Sequence, residues 1–440
     1  MTSSPSPQIA IVGSGPSGCY AAQALLRSLP QAEITIFDRL VSPFGLIRYG
    51  VAADHQHTKA ITRQFERLFA SPGVRFAGGI EVGIDIELPE LLDAFDAVVL
   101  ATGIAEDRAL SIPGSELPGV YGAGALIQSL NAHPDAASAL PPLGDNVVVI
   151  GAGNVALDIL RFLVKAESDY LGSDVADDAL EAYLRSPAAR VTVASRSVAA
   201  AAKGDPQMLR ELALLPRANY SLIGAPLDAG ESSDRTSEAR IAALQLLVAD
   251  DRGSFPGPDV TLGFGLVPRR IVGEGDGDAA RVTAVEFDSP DGVVSVPATS
   301  VVTAVGFSAS GPLAHLLSSP GETGRLSPGL YRTGWAKRGS RGAIPENRAC
   351  AKSVAEEVAA DLAAAPERSG SAARGFDALN ASVRDRAVSF DSWLHLDLHE
   401  QMAAPEGRVR RKVADLALMR SIAQDGGASG ATTSQKGHHS

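Results

Sequence analysis

Apolar and polar positions follow two different periods in the first part of the chain. The β-branched run from Gln8 to Gly13 leads into CYAAQALLRSL, where Ala and Leu recur at helical spacing. EITIFD, which ends at Asp38, is a second apolar run. The segment Lys59 to Phe69 is predicted to be helical, and DAVVLATG is a further buried strand. A strand, a helix and a strand in this order predict a β-α-β unit.

The same pattern restarts at Asp145. DNVVVIGAGNVALDILRFL again runs from a buried strand through a glycine turn into a helix, and a later strand, RVTVASR, ends at Arg196. Two such openings predict two doubly wound units. Between Val260 and Val302, β-rich runs separated by GEGDGD and SPDG predict an antiparallel meander. GESSDRTSEAR, ending at Arg240, indicates an exposed loop, and the segment Lys352 to Leu362 indicates a helix.

Length, charge and cysteine content narrow the function classes. A chain of 440 residues exceeds the usual size of one hydrophobic core, so two or three domains are expected. The formal net charge of −12 argues against a nucleic-acid-binding protein. Cys19 and Cys350 are too few and too far apart for a disulfide framework or a cysteine-based metal site, and no CxxC occurs. We expect no bound metal.

The N-terminal segment bears on cellular location, and the C-terminal segment bears on structural disorder. MTSSPSPQ lacks the basic start and apolar stretch of a signal peptide, and no run of about 18 apolar residues could span a membrane. A cytoplasmic protein without integral membrane association is therefore expected. The terminal segment GGASGATTSQKGHHS is small and polar enough to predict a disordered tail from about residue 425 to residue 440.

The first glycine turn has the complete dinucleotide-binding pattern. Gly13, Gly15 and Gly18 form GxGxxG between a strand and a helix, and Asp38 ends the second strand. The first glycine makes the turn, the second lets backbone approach a pyrophosphate, and the third lets helix pack on strand. Asp38 would accept hydrogen bonds from ribose hydroxyls. The alternative is a glycine-rich structural turn.

The second glycine turn differs at the end of its second strand. The turn is Gly151-Ala-Gly153-Asn-Val-Ala156, and the strand after its helix ends in Ser195-Arg196-Ser197 rather than in an acid. An arginine pairs with a 2′-phosphate that an acid would repel, so this site favours NADP(H) over NAD(H). The alternative is that Arg196 simply caps the strand. Two dinucleotide sites in one chain indicate one flavin and one nicotinamide nucleotide.

Several segments together resemble the adrenodoxin reductase-like ferredoxin–NADP⁺ reductases, flavoproteins with two dinucleotide-binding domains. They are GSGPSGCYAAQALL, SPFGLIRYGVAADH, LATGIAEDRALSIPGSELPGV, GAGNVALDILRFL, LRELALLP, RTGWAKRGSRGAIP and SFDSWLHLD. The resemblance covers nearly the whole chain. It implies an α/β fold with two doubly wound domains: an FAD domain formed by 1–107 and 306–440, and an inserted NADP domain formed by 108–305.

The resemblance also implies the residues that contact each cofactor. For FAD these are Ser17, Asp38, Leu46, Val82, Trp335, Gly342, Ala343 and Ile344. For NADP(H) they are Ala152, Gly153, Asn154, Val155, Arg196 and the residue after it, Ser197. Ser197 stands where the family has a second arginine, and Met208 stands where it commonly has a glutamate. These two departures put the selectivity for NADPH over NADH in question.

Two candidate catalytic residues, His55 and Glu211, fall on family positions close to the flavin and nicotinamide. They are assigned to positioning and to proton or electrostatic tuning rather than to obligatory acid–base catalysis. The alternative for His55 is a loop histidine bonded to backbone. The alternative for Glu211 is a residue on a solvated helix face.

The implied activity is hydride transfer from NADPH to FAD, followed by single-electron transfer to a ferredoxin-type iron–sulfur protein. An acidic ferredoxin would dock on basic side chains, for which Arg210, Lys337, Arg338 and the cluster GRVRRKV are candidates. GRVRRKV is alternatively a solvated helix or turn. A reductase with a quinone or other acceptor, and a nucleotide sensor without turnover, are the rival functions. The resemblance favours a monomer or weak dimer.

Overall fold

A computed structural model describes residues 6–227, 234–275, 280–317, 320–342, 344–364 and 374–430. Its strands are β1 (Gln8–Val12), β2 (Glu33–Asp38), β3 (Val74–Gly78), β4 (Ala97–Leu100), β5 (Glu106–Asp107), β6 (Val120–Gly122), β7 (Asn146–Ile150), β8 (Arg190–Ser195), β9 (Asn219–Gly224), β10 (Asp259–Phe264), β11 (Val267–Glu274), β12 (Arg281–Ser289), β13 (Gly292–Pro297), β14 (Ser300–Thr303), β15 (Phe307–Ser308), β16 (Arg325–Ser327) and β17 (Leu330–Arg332). Its α-helices are α1 (Pro16–Ser28), α2 (Leu46–Tyr49), α3 (Gln56–Lys59), α4 (Thr62–Phe69), α5 (Leu88–Ala94), α6 (Ala123–Leu130), α7 (Asn154–Val164), α8 (Asp177–Leu184), α9 (Pro206–Leu214), α10 (Arg235–Leu247), α11 (Ala314–Leu317), α12 (Trp335–Arg338), α13 (Ile344–Ala364), α14 (Ala381–Arg386), α15 (Phe390–Met402) and α16 (Leu416–Gly430).

The chain divides into two compact units. Unit 1 contains Met1–Glu106, Ala132–Asp135 and Phe307–Ser440, and unit 2 contains Asp107–Asn131 and Ala136–Gly306. The chain thus starts in unit 1, continues through unit 2 and ends in unit 1.

Unit 1 is built on a six-stranded sheet in the order β16-β17-β4-β1-β2-β3, parallel except for β16. The register of β1 against β2 aligns Ile11 with Ile36. Alternate side chains of β1 enter different cores, with Ile9 and Ile11 on one face of the sheet and Ala10 and Val12 on the other. Both faces of the sheet are therefore covered, which explains why its strands are continuous apolar runs.

Unit 2 has its own six-stranded parallel sheet, in the order β6-β14-β7-β8-β10-β9. In each sheet the strand order reverses between two neighbouring strands. These are β4 and β1 in unit 1, and β14 and β7 in unit 2. Ligands of open parallel sheets bind outside the carboxyl ends of the strands at such a point. The first glycine turn follows the carboxyl end of β1, and the second follows the carboxyl end of β7.

The predicted antiparallel meander is shorter than expected. Its first run, VTLGF, is β10, which pairs in parallel with β8 and β9, whereas β11, β12 and β13 form a three-stranded antiparallel sheet. The prediction was wrong for β10 because a short apolar run looks alike in both kinds of sheet. Val260, Leu262 and Phe264 are all buried, as expected of an inner strand.

The prediction of an exposed loop ending at Arg240 is wrong from Arg235 onward, because α10 begins there. The Asp234 side chain accepts a hydrogen bond from the Ser237 N–H at 2.8 Å, which caps the helix. The buried Arg240 guanidinium donates to the Gly204 carbonyl at 2.8 Å. Asp and Ser, read as loop residues, are here the start of a helix. Residues 231–233 lie outside the described ranges.

Other helices also differ from their predicted bounds. The segment predicted as one helix from Lys59 to Phe69 is divided between α3 and α4, and α13 is longer at both ends than the prediction. Helix α16 continues to Gly430, within the range predicted to be a disordered tail, and residues 431–440 lie outside the described part.

None of the described helices is long and apolar enough to cross a membrane. Within the same ranges, no three His, Cys, Asp or Glu side chains group in a way that could hold a metal ion.

Candidate functional site

The three glycines of the first turn face different surroundings. Gly13 has a φ of 109°, and a Cβ there would lie 2.5 Å from the Ala101 carbonyl oxygen. A Cβ on Gly18 would overlap the carbonyl oxygen of Gly13. A Cβ on Gly15 would meet one atom within 4 Å, the Cα of Gly45 at 3.9 Å. Gly13 and Gly18 are thus required by the turn itself, whereas Gly15 faces open space at the N-terminus of α1.

Asp38 is bonded to the first turn. Its Oδ2 accepts hydrogen bonds from the N–H and the hydroxyl of Ser14, and its Oδ1 accepts one from the Leu40 N–H at 2.9 Å. A carboxylate offers about four acceptor positions, so Asp38 retains capacity for a ribose hydroxyl. Sequence reasoning did not single out Ser14, although a serine between the first two glycines can reach the acid.

The segment before Leu46 is held against the same turn by a strained residue. Phe44 has a φ of 82°, and its N–H donates to the Ser14 carbonyl at 3.2 Å. Its ring packs edge-on against Trp393, with centroids 5.3 Å apart. Positive φ at a bulky residue costs about 1–3 kcal/mol and persists where packing enforces it. Helix α2, which starts at Leu46, is thereby placed beside the turn.

Val82 follows β3 and makes a parallel bridge with Ile86. Its side chain is buried in the core cluster that also contains Phe37 and Leu100. Because so little of the side chain is open, any contact of Val82 with a cofactor would come from its backbone.

The basic segment around Trp335 also lies against the first turn. Gly334 has a φ of 64°, and a Cβ there would overlap the Ser17 hydroxyl. The Trp335 Nε1–H donates to the Gly342 carbonyl at 3.1 Å, and the indole stacks on Phe307 with centroids 5.9 Å apart. Unit 1 therefore brings the predicted residues Ser17, Trp335 and Gly342 into one contact network.

Helix α13 completes this network. The Ser17 hydroxyl donates to the Asn347 Oδ1 at 3.2 Å, and the Gly334 N–H donates to the Cys350 Sγ at 3.3 Å. Ile344, the first residue of the helix, packs partly buried against the core. Ala343 lies outside the described residues.

Both cysteines are buried free thiols. Burial raises the pKa of the Cys19 thiol well above its ordinary value, and the charge of Asp38 raises it further. Because the thiolate is the reactive form, Cys19 is an inert packing residue.

The second turn repeats the arrangement in unit 2. Gly151 has a φ of 127°, and a Cβ there would overlap the Ala304 carbonyl oxygen. The Asn154 side chain accepts a hydrogen bond from the Asp205 N–H at 2.9 Å, while Ala152 and Val155 are partly exposed beside it. This turn also stands at the N-terminus of a helix, α7, which favours an anionic ligand.

Arg196 is exposed at the end of β8, and Ser197 follows with its N–H bonded to the Ser195 hydroxyl at 3.1 Å. No ion pair holds Arg196 among the residues that the structure describes. The guanidinium is therefore available to a ligand phosphate.

The family described as pyridine nucleotide-disulphide oxidoreductase matches residues 7–196. Cindoxin reductase of Citrobacter braakii is 40% identical over 430 residues, which are 95% of this chain and 92% of the relative. The human mitochondrial NADPH:adrenodoxin oxidoreductase is 32% identical over 456 residues, which are 94% of this chain and 91% of the relative. The chain belongs to the adrenodoxin reductase-like ferredoxin–NADP⁺ reductase family.

A solved structure of this family has the same fold. FprA of Mycobacterium tuberculosis in complex with NADPH matches with a TM-score of 0.82 at 29% identity, covering 95% of this chain and 100% of that one. The predicted family and the predicted fold class, α/β with two doubly wound dinucleotide-binding domains, are both confirmed.

The two candidate catalytic residues lie in different units. His55 precedes α3 in unit 1, half-buried, with its ring centroid 5.8 Å from that of His57. Glu211 lies on α9 in unit 2, where its Oε2 is 3.1 Å from the Arg161 Nη1 of α7. The Glu211 side chain is 30% exposed, so a fully solvated helix face does not describe it. The catalytic roles of both residues remain predictions.

Two cations expected at a docking surface are engaged inside unit 1. Lys337 is 7% exposed, and its ammonium lies 3.8 Å from the Glu357 carboxylate. Arg338 donates to the Asn347 Oδ1 at 2.7 Å and to the Arg341 carbonyl at 3.0 Å. The prediction that Lys337 docks a partner is therefore wrong, because its charge is buried and neutralised by Glu357.

Two cations of the GRVRRKV cluster are engaged within unit 1, whereas Arg411 is exposed. Lys412 is buried and donates to the Arg48 carbonyl at 3.0 Å, and Arg410 is bonded to Asp397 and lies 3.5 Å from Glu400. The cluster is therefore not a simple solvated turn, and its role in docking stays a prediction. The partner of Lys412 lies 364 positions away in the chain, whereas the two partners of Arg410 lie on the preceding helix, α15.

A buried ion pair stands at the centre of this region. The Arg48 Nη2 lies 2.6 Å from Glu400, and the two side chains are 5% and 0% exposed. Burial alone would lower the pKa of Arg48, but the charge and hydrogen bonds of Glu400 raise it above its ordinary value. Arg48 belongs to α2, so the pair joins the segment that begins at Leu46 to helix α15.

His133 is neutral in the same region. Its Nδ1 accepts a hydrogen bond from the Asp135 N–H at 3.1 Å, and its ring centroid is 4.8 Å from that of Tyr49. Burial lowers the pKa of His133 to about 4, and the positive charges of Arg39 and Lys412 act in the same direction.

The depressed pKa of His133 predicts an acid-dependent loss of stability. Below about pH 6.5 the unfolded chain binds a proton at this residue that the folded chain refuses down to about pH 4, so stability falls as the pH falls through this window. Between pH 7 and pH 5 the loss is about 2 kcal/mol. Urea unfolding at both pH values measures it.

His133→Gln should remove this part of the pH dependence, and His399→Gln, at an exposed position on α15, should keep it. Equal slopes for the parent and His133→Gln would contradict the prediction.

Proposed function

We propose that this chain is an NADPH:ferredoxin oxidoreductase that binds FAD in unit 1 and NADP(H) in unit 2. The two bound cofactors supply hydride transfer from nicotinamide to flavin and then single electrons for a protein acceptor. The support that carries the proposal is the pair of glycine turns, each at the reversal point of its own parallel sheet. The cofactor prediction, FAD and NADP(H), is confirmed by the family.

The residues of unit 1 fit a flavin dinucleotide. The open side of Gly15 at the start of α1 would take the pyrophosphate, and Asp38 would take a ribose hydroxyl. Ser17, Leu46 and Trp335 lie around the same turn through the contacts given above. Val82, Gly342 and Ile344 complete the set, which makes unit 1 our assignment for the predicted FAD domain.

The residues of unit 2 fit a nicotinamide dinucleotide. The turn at Gly153 and Asn154 would hold the pyrophosphate, and Arg196 would pair with the 2′-phosphate. The predicted domain boundaries, 1–107 with 306–440 and 108–305, stay proposals, and they differ from the two units by one residue at each junction and by 132–135.

The chain's own groups bind and orient rather than react. His55 would hold a proton or a dipole near the flavin, and Glu211, fixed by Arg161, would position the nicotinamide side. Neither role calls for a protein nucleophile.

The proposed function also includes a specific electron acceptor. The relatives are named as reductases of cindoxin, ferredoxin and adrenodoxin. We favour a ferredoxin-type iron–sulfur protein over a quinone or other small molecule, with the cytoplasm as the location and a monomer or weak dimer as the working form.

The test starts from absorbance of the purified protein. FAD absorbance that bleaches on addition of NADPH without air supports the reductase, and flavin that NADPH does not reduce supports the nucleotide sensor. A preparation that holds no flavin even after reconstitution would overturn the proposal.

The acceptor is tested separately. Cytochrome c reduction should rise when ferredoxins from the same genome are added, while ferricyanide reduction should not change. An unstimulated rate with every ferredoxin, beside a fast quinone reductase rate, would move the assignment to the quinone acceptor.

A further inference from the structure

A lysine that no sequence motif singles out lies beside the second glycine turn. A Cβ built on Gly153 would meet one atom within 4 Å outside its own helix and neighbours, the Cβ of Lys203 at 3.9 Å. Lys203 is exposed, and in the described ranges its ammonium has no ion-pair partner. An uncompensated cation thus borders the otherwise open side of the second glycine.

The loop that carries Lys203 is fixed to the turn. The next residue, Gly204, is packed so that a Cβ there would lie 3.1 Å from the Ala152 carbonyl oxygen. The following Asp205 N–H donates to the Asn154 side chain at 2.9 Å. Both contacts attach this loop to residues of the turn itself.

A buried arginine holds the other side of the loop. Arg240 of α10 donates to the Gly204 carbonyl at 2.8 Å and to the Ala200 carbonyl at 2.5 Å. Ala202, beside Lys203, is buried as well. The backbone at Lys203 is therefore preorganised, and only its flexible side chain remains to be ordered by a ligand.

The position of Lys203 distinguishes between the two phosphate groups of NADP(H). The second glycine of this type of turn is the point at which backbone approaches the pyrophosphate, whereas the end of the following strand faces the 2′-phosphate. Lys203 lies beside the second glycine of the turn, and Arg196 lies at the end of the following strand. The two cations serve different phosphates.

We infer that Lys203 binds the pyrophosphate of the nicotinamide dinucleotide, and this inference rests on the function proposed above. Its ammonium adds a mobile positive charge to the N-terminus of α7. Because NADP(H) and NAD(H) share the pyrophosphate, Lys203 strengthens the binding of both. It supplies affinity, whereas Arg196 supplies selectivity, so the arginine missing at position 197 is not replaced in function.

Calorimetric titration of the oxidised holoprotein with NADP⁺, NAD⁺ and adenosine 2′-monophosphate tests this division. Lys203→Gln should raise the dissociation constants of NADP⁺ and NAD⁺ by the same factor, about tenfold, and leave that of adenosine 2′-monophosphate unchanged. Arg196→Gln should weaken NADP⁺ and adenosine 2′-monophosphate and spare NAD⁺. Lys352→Gln, at an exposed lysine on α13 of unit 1, is the control.

The results of these titrations distinguish failure of the inference from failure of the proposed function. Parent-like binding of NADP⁺ by Lys203→Gln, or a loss confined to NADP⁺ and adenosine 2′-monophosphate, overturns the inference while the proposed function stands. A parent protein that binds neither dinucleotide overturns the proposed function first. Binding is read directly, so impaired turnover cannot imitate the result.

Discussion

A methyl group at Gly18 is expected to lower both stability and flavin content, whereas a methyl group at Gly15 lowers flavin content alone. In Gly18→Ala the new Cβ overlaps the Gly13 carbonyl oxygen, so the helix must move from the turn. Overpacking of this kind costs about 1–3 kcal/mol. Because the displaced helix start is also the proposed pyrophosphate site, flavin is lost with stability.

Gly15→Ala separates the two effects. Gly15 has φ −69° and ψ −176°, which an alanine adopts without strain, and its nearest neighbour at 3.9 Å is an ordinary contact. The apoprotein should therefore keep its stability or gain about 0.4–1 kcal/mol from a stiffer unfolded chain. The methyl group nevertheless occupies the space in which backbone would approach the pyrophosphate.

Urea unfolding of the flavin-free proteins and flavin content per chain after reconstitution are the two measurements. Full flavin content in Gly15→Ala would contradict the assignment of this turn to FAD. Parent-like stability in Gly18→Ala would contradict the steric account.

Glu400→Gln is expected to destabilise unit 1 strongly. It leaves the Arg48 guanidinium buried without its counter-charge, and it weakens the bonds from Arg410 and the Val413 N–H to the same carboxylate. Removing one partner of a buried ion pair costs about 3–5 kcal/mol. Urea unfolding followed by tryptophan fluorescence reports the loss, since Trp393 lies on the same helix as Glu400.

Glu181→Gln is the matched control, because Glu181 forms an exposed pair with Arg185 on α8 and should have little effect. The double replacement Arg48→Met with Glu400→Leu should recover much of the loss, since it removes both buried charges. If Glu400→Gln is as stable as Glu181→Gln, the pair does not stabilise the fold.

The sequence predicted what local pattern determines. Continuous apolar runs predicted the parallel strands β1, β4 and β7, because each of them is buried on both faces. The spacing of Gly13, Gly15 and Gly18 predicted a turn whose geometry the structure then showed in detail.

The failures concern interactions between distant parts of the chain. Lys337 and Lys412 were expected at the surface because charge is usually solvated, but Lys337 lies beside Glu357, and Lys412 donates to the distant Arg48 carbonyl. Glu400 and Arg48 are separated by 352 positions. The roles of the site residues, His55 and Glu211 among them, stay predictions, because local pattern identifies a turn but not the ligand atom each side chain meets.

The place of β17 in the unit 1 sheet sets the order in which the chain can finish folding during synthesis. β17 pairs with β4, and β16 lies at the edge beyond it, so this sheet waits for residues 325–332. The unit 2 sheet needs nothing later than β14, which ends at Thr303. As a chain leaves the ribosome from its N-terminus, unit 2 has all its sheet strands while unit 1 still lacks two. The unit that begins first is completed last.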